Sequence, residues 1–250
     1  MARSWSIRRF DLVELCLVAA VCGLAGWGFA HTRVKLHPEA DVLEATYGSE
    51  HWSENEEEWI IRDFFGARRN GFFVDVGAGH YREFSNTYYL EHQLGWSGIA
   101  IEPVRVFEAD YVKHRPRTRF FPFFVSNVSN EIAKMYTFGT GFLGNSSDKQ
   151  FVERFGKNPT EVSVPTITLN DLFAREKVQA IDFITMDIEL SEPKALAGFD
   201  IGRYKPALVC IEAHPEVRQQ ILDFFARHHY VVVGEYLRAD DKNLYFTPLR

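Results

Sequence analysis

Phe73-Val74-Asp75-Val76-Gly77-Ala78-Gly79-His80 reads as a hydrophobic strand running directly into a glycine turn. Residues without a Cβ at positions 77 and 79 let the backbone approach a ligand in the crevice at the strand's carboxyl end. A dinucleotide-binding turn would carry a third small residue at position 82, where the chain has Arg82, and would not place an acid inside the strand. The pattern favours a ligand that has no phosphate to cradle and carries positive charge for Asp75 to face. An ordinary strand-to-helix turn is the bland alternative.

The next apolar run, Gly98 to Glu102, ends in Ile101-Glu102-Pro103. A carboxylate at that strand end is placed to accept hydrogen bonds from both hydroxyls of a ribose. NAD enzymes use the same device, so Glu102 alone indicates only an adenosine ligand. Combined with Gly77, Gly79 and Asp75 it points to S-adenosyl-L-methionine, whose amino group and sulfonium favour a nearby carboxylate. Ser126 and Asn127 close the third strand and are candidates for adenine contacts, although small polar residues are common at loop starts.

Around these motifs short apolar runs alternate with helical patterns. Strands are expected at Phe72 to Val76, Gly98 to Glu102 and Phe120 to Val125, with helices at Asn86 to Leu94 and Val104 to His114. An irregular stretch follows, with strands at Ala133 to Phe138 and Val162 to Leu169 around a polar helix near Ser147 to Phe155, read as an insertion at the sheet's rim. The rhythm resumes with a strand at Ala180 to Ile188, a short helix at Pro193 to Ala197, a strand at Ala207 to Glu212 and a helix at Glu216 to His228. Strands at Tyr230 to Glu235 and Asn243 to Thr247 are joined by a loop too short for a crossover helix, which makes them an antiparallel pair. The expected fold is α/β: the mostly parallel, Rossmann-like sheet of class I methyltransferases, closed by a C-terminal antiparallel pair.

Three segments divide the chain of 250 residues: a membrane anchor at 1–31, a linker at 32–53 and one α/β domain at 54–250. The run from Leu15 to Ala30 holds no charge, and Leu12 and Val13 extend it, enough for one tilted membrane helix over residues 12–30. Its small-residue spacings, Ala19 with Gly23 and Gly26 with Ala30, permit a dimer or a partner helix. A cleaved signal peptide, with Arg8 and Arg9 as its basic end, is the rival reading. The positive-inside bias puts the domain outside the cytoplasm; the cytosolic origin of the expected cofactor puts it inside, and the second is preferred. In the linker, Ser53 and Glu56 have capping-box spacing, which starts a helix from about Glu54 to Phe65. Hydrophobic residues make up 46% of the chain, enough for one core, and the net charge of −6 argues against nucleic acid as a partner. Cys210 is the only cysteine of the domain, so that domain has no internal disulfide.

From residue 70 to 215 the chain resembles the FkbM family of S-adenosylmethionine-dependent methyltransferases. The likeness runs through Val74-Asp75-Val76-Gly77-Ala78, Ser85-Asn86-Thr87, Leu90-Glu91, Leu94-Gly95-Trp96, Gly98, Ile101-Glu102-Pro103, Thr168-Leu169, Asp171-Leu172, Ile181-Asp182-Phe183-Ile184 and Asp187-Ile188-Glu189. It departs at Leu190, where the family pattern usually has Gly, two residues before Glu192. The resemblance implies methylation of oxygen on a sugar or natural product, hence a small-molecule or glycan acceptor.

Asp187 and Glu189 lie two apart at a strand end, and Glu212 and His214 repeat the spacing on the next strand. In the class I strand order the ends carrying Asp75, Asp187 and Glu212 are neighbours. One reading makes Asp187, His214 and Glu189 catalytic, with His214 or Asp187 taking the proton of an acceptor hydroxyl and no metal required. A second has Asp187, Glu189 and Glu212 hold a divalent cation that acidifies the hydroxyl. A third has these acids only cap helices and loops. His80 is expected to be a cofactor-pocket or packing residue and not a catalyst, and His228-His229 to end a helix. At the level of function, a membrane-anchored binding module without turnover competes with the enzyme, and an NAD-dependent sugar enzyme is disfavoured by Arg82.

Overall fold

The computed structural model describes residues 38–139 and 144–249. The anchor expected at residues 1–31 lies outside them; among the described residues no helix is long and apolar enough to cross a membrane.

The strands alternate which face each residue serves. In β1 (Phe72–Val76), Val74 and Val76 join one apolar cluster while Phe73 joins another on the opposite face. The same division recurs in β7 (Phe183–Met186), β8 (Leu208–Glu212) and β10 (Asn243–Pro248), so these strands are buried on both sides, as parallel α/β sheets require. With β2 (Ser97–Ile101), β3 (Thr118–Phe121) and β9 (Tyr230–Val232) they form a seven-stranded sheet ordered β3-β2-β1-β7-β8-β10-β9. Its pairs are parallel except β10 against β8 and β9. This is the expected class I methyltransferase plan, with β1, β7 and β8 side by side.

One face is covered by α6 (Leu169–Arg175), α7 (Glu192–Ala197), α8 (Ile201–Tyr204) and α9 (Arg218–Arg227). Opposite them lie α1 (Pro38–Tyr47), α2 (Glu57–Phe65) and α3 (Tyr88–Leu94). Helix α4 (Glu108–His114) sends Tyr111 onto a smaller cluster with Ala78 and Ala100.

Several boundaries differ from the sequence reading. Ten residues inside the stretch read as linker form α1, whose Leu43 is buried in the core with Tyr47 packed beside it; two inward side chains give too little periodicity to mark a helix. The α2 cap uses Glu58 instead of Glu56: Glu58 N–H donates to Ser53 Oγ at 3.0 Å while the Glu58 carboxylate accepts from Trp52 N–H at 2.9 Å. The single strand expected at Phe120 to Val125 is two. Pro122 has no N–H for a ladder, and beyond it β4 (Phe124–Val125) leaves the main sheet to pair with β6 (Thr160–Ile167). With β5 (Ile132–Thr137) these make a separate three-stranded sheet, and α5 (Lys149–Val152) completes the insertion. Helix α6, hidden by the apolar run that precedes it, is capped by Thr168 Oγ1, which accepts from Asp171 N–H at 3.0 Å.

Candidate active site

The carboxyl ends of β1, β2 and β7 open onto a cleft whose lining includes Gly77, Gly79, Glu102, Phe107, Met135 and Asp187. At its floor the β1 turn and the end of β7 touch. Gly77 has φ +85°, and a Cβ there would stand 1.8 Å from the Asp187 carbonyl oxygen, so only glycine fits. Gly79 also has positive φ, +52°, but a Cβ built there meets nothing within 4 Å, which leaves an open backbone cradle. Glu102 closes the cradle: Oε2 accepts from Gly79 N–H at 3.3 Å and Oε1 from Val104 N–H at 2.8 Å. Burial raises the Glu102 carboxyl to about 7, the two backbone donors acting against it.

Asp75 does something else. Its Oδ2 accepts from Thr87 Oγ1 at 2.7 Å, and burial raises its carboxyl to about 6. It is not among the residues lining the cleft. Below it sits Arg115, 1% exposed, which the sequence reading overlooked. Arg115 pairs with Glu91 at 2.6 Å and donates to the carbonyls of Tyr81 and Thr87 at 2.8 and 3.2 Å. This buried ion pair anchors the loop that follows the glycine turn, and it explains why Ser85, Thr87 and Glu91 accompany the turn in the sequence. Nothing local in the sequence marks Arg115, because its partners come from distant segments. Ser126 and Asn127 follow β4 instead of the third main strand; the cleft wall there is made by Phe124 and Val125.

The acidic group assembles at the ends of β7 and β8. His214 Nε2 lies 3.1 Å from Glu189 Oε2 and 3.1 Å from Glu212 Oε2. Only the first contact has hydrogen-bond geometry, and Glu212 Oε2 is buried without a hydrogen-bond partner. Contact with Glu212 and then Glu189 raises the imidazole to about 9 against the effect of burial. Burial and the neighbouring Glu212 charge raise Glu189 to about 7. Depth in the cleft floor, then the charges of Glu212, Glu189 and Glu192, push Asp187 well above the usual carboxylate range. That depth is not exclusion from water: Asp187 keeps an exposed surface and lines the cleft. Three groups can share one ion, Glu189, Glu212 and His214, with ligand atoms within 4.8 Å of one another. His214 thus stands where the sequence reading placed Asp187.

The segment linking these acids is built tightly. Glu192, fully buried, accepts from Ile188 N–H at 3.0 Å, and burial raises it to about 8. Ser146 from the insertion donates to the Glu189 carbonyl at 2.6 Å, and Phe151 of α5 meets the His214 ring edge-on at 5.2 Å between centroids. Glu189 and Leu190 have φ of +51° and +73°. His80 accepts from Glu83 N–H at 3.0 Å and packs on Tyr81, a turn-forming role.

An open glycine cradle beside a buried ribose-height carboxylate, on this sheet order, defines a class I methyltransferase. A family model for the methyltransferase FkbM domain matches residues 75–232, and the chain belongs to that family; its cofactor is S-adenosyl-L-methionine. No curated protein matches the chain. Solved structures similar to it include a TehB-like SAM-dependent methyltransferase from Corynebacterium glutamicum, at 14% identity over 85% of this chain and 96% of that one, with a TM-score of 0.46. Another is an O-methyltransferase from Bacillus cereus in complex with SAH, at 12% identity over 92% and 97%, with a TM-score of 0.44. The residues present fit the cofactor: the cradle at Gly79 is empty of side chains, and the Glu102 oxygens sit beside it.

Proposed function

We propose that the protein O-methylates a sugar or small natural-product hydroxyl. The observation that carries this reading is that Asp187 and Glu189 line the same cleft as Gly77, Gly79 and Glu102. Glu102 would hold the ribose and the backbone at Gly77 to Gly79 the methionyl end, and the bound cofactor supplies an electrophilic methyl group. Asp187, the acid of the group that faces the cleft most openly, would take the proton that the acceptor hydroxyl loses on methylation. The insertion, through Ser146 and Phe151, holds the acidic group in place.

The same proposal keeps the domain at a membrane through residues 12–30, on the cytoplasmic side, with the small-residue spacings free to engage a second helix. Full-length protein should stay in the membrane fraction through alkaline extraction; soluble protein beginning near His31 would replace the anchor with a cleaved signal.

The acceptor is found by incubating the full chain with methyl-labelled cofactor and a panel of saccharides and hydroxylated natural products, then locating the label. Label on oxygen supports the proposal. Label on nitrogen or carbon overturns it, and cofactor binding without transfer to any of the panel points to the binding module.

A further inference from the structure

We propose that Glu189, Glu212 and His214 form a site for one divalent transition-metal ion beside the cofactor cleft. The geometry is the first argument. In an octahedral site with metal–ligand bonds of about 2.1 Å, adjacent ligand atoms stand about 3.0 Å apart; His214 Nε2 is 3.1 Å from an oxygen of each glutamate.

Hydrogen bonding is the second argument, and it is independent of the crowding of acids. An imidazole nitrogen carries one proton and serves one acceptor. Here it serves Glu189, which leaves Glu212 Oε2 buried, pointed at the same nitrogen and without a hydrogen-bond partner. Glu212 is 8% exposed, so water outside does not solvate it freely. Buried polar atoms of this kind are ordinarily satisfied. A cation between the three side chains accepts a lone pair from each at once, which no single proton does. Two carboxylates and an imidazole that has released its proton to solvent also balance a doubly charged ion.

One ligand ends a strand, and the segments carrying the other two are held by contacts from outside them, which restrains the site. Glu212 ends β8 opposite Asn243 of β10, Phe151 packs against the imidazole, and Ser146 ties down the Glu189 backbone. The nitrogen ligand favours Zn²⁺, Fe²⁺ or a similar ion over Mg²⁺ or Ca²⁺, which take oxygen almost alone, and the two carboxylates also suit Mn²⁺. Of the three ligands Glu189 lines the cofactor cleft, so an ion held here would stand at its edge, with any open positions available to an acceptor. The use of those positions to bind acceptor oxygens rests on the O-methylation reading; the site itself does not.

The test is titration of the chelator-treated full chain with MnCl₂ alone, followed by electron paramagnetic resonance and calorimetry, with no acceptor present. One saturable Mn²⁺ per chain is expected, with affinity at least about 10-fold weaker in Glu212→Gln and in His214→Ala, since even outer-shell changes cost that much. The surface variant Glu161→Gln should bind as the wild type does. Calorimetry with S-adenosylhomocysteine checks that each variant is folded, and either folded variant decides the matter. No saturable binding, or binding unchanged in a folded ligand variant, overturns the site. A failed acceptor screen leaves this result untouched, and the reverse also holds.

Discussion

Two buried acidic groups flank the junction of β8 and β10, and they are built on opposite principles. Away from the cleft, Glu57 and Asp240 are saturated with donors. Glu57 accepts from Asn55 N–H at 2.7 Å and Asn243 Nδ2 at 3.0 Å. Asp240 accepts from Lys242 and Asn243 N–H at 2.9 and 3.0 Å and from Tyr245 Oη at 2.7 Å. At the cleft, Glu212 Oε2 and Glu192 Oε2 are buried without a hydrogen-bond partner. The cleft group also stands on backbone with positive φ at Glu189 and Leu190, whereas Glu57, Asp240, Asn243 and Tyr245 have no such angle. Saturated buried acids hold a structure together; unsaturated ones on strained backbone are held ready for a ligand.

The comparison breaks most visibly in turnover. Asp187→Asn should lower methyl transfer by about 100-fold or more, the usual contribution of a general base, with S-adenosylhomocysteine affinity kept. Glu57→Gln, at a buried carboxyl that does not line the cleft, should leave turnover unchanged. Equal losses in the two variants, measured with the labelled-methyl assay, would erase the distinction between the groups.

Cofactor binding gives the next largest effect. Glu102→Ala should weaken S-adenosylmethionine binding by roughly 1.5 to 3 kcal/mol, the range for losing charge-assisted hydrogen bonds. Since burial raises Glu102 to about 7, wild-type affinity measured by calorimetry should fall as pH drops below that value and the carboxylate gains a proton. An unchanged dissociation constant in the variant would remove Glu102 from the ribose.

The uneven legibility of the sequence follows from where the information lies. The order of the main sheet was readable because apolar runs and their spacing are local, and because the short loop before Asn243 forces antiparallel pairing. Gly77, Glu102, Asp187 and His214 were readable because a strand end fixes where the next side chain goes. Asp75 has a partner that spacing did not reveal: Oδ2 accepts from Thr87, twelve residues on, and the residue does not line the cleft. Arg115 and the orphaned oxygen of Glu212 depend on contacts between remote segments, for which spacing carries no signal, whereas the break after Phe121 has a local mark in Pro122.

Stability against pH sharpens the contrast from the saturated side. Burial, then the Asp240 charge, raises Glu57 from 4.5 to about 7 in the folded protein. A carboxyl raised on folding binds its proton more tightly in the native state, so its contribution is complete below about 4.5 and is lost as pH climbs through about 7. Thermal unfolding should therefore show the melting temperature falling from pH 5 to pH 8, and Glu57→Gln should remove its share of that slope. A variant with the wild-type slope would mean that Asp240 or the cleft acids carry the whole dependence.

The smallest effect concerns Leu190, whose backbone lies in the left-handed region that favours glycine. With φ at +73°, an L-residue at this position costs about 1 kcal/mol or more relative to glycine. Against this, the Leu190 side chain is half-buried against the main core cluster, worth about 1 kcal/mol for a partly covered leucine. The two nearly cancel, so Leu190→Gly should change unfolding free energy by less than about 1 kcal/mol. Leu190→Ala loses the packing and keeps the backbone cost, so it should be the less stable variant by about 1 kcal/mol. That order reverses the usual ranking of alanine over glycine, and denaturant unfolding of the two proteins measures it. If alanine proves the more stable, the segment carrying Glu189 is free to leave the left-handed region, and strain is not what distinguishes the cleft group from the Glu57–Asp240 pair.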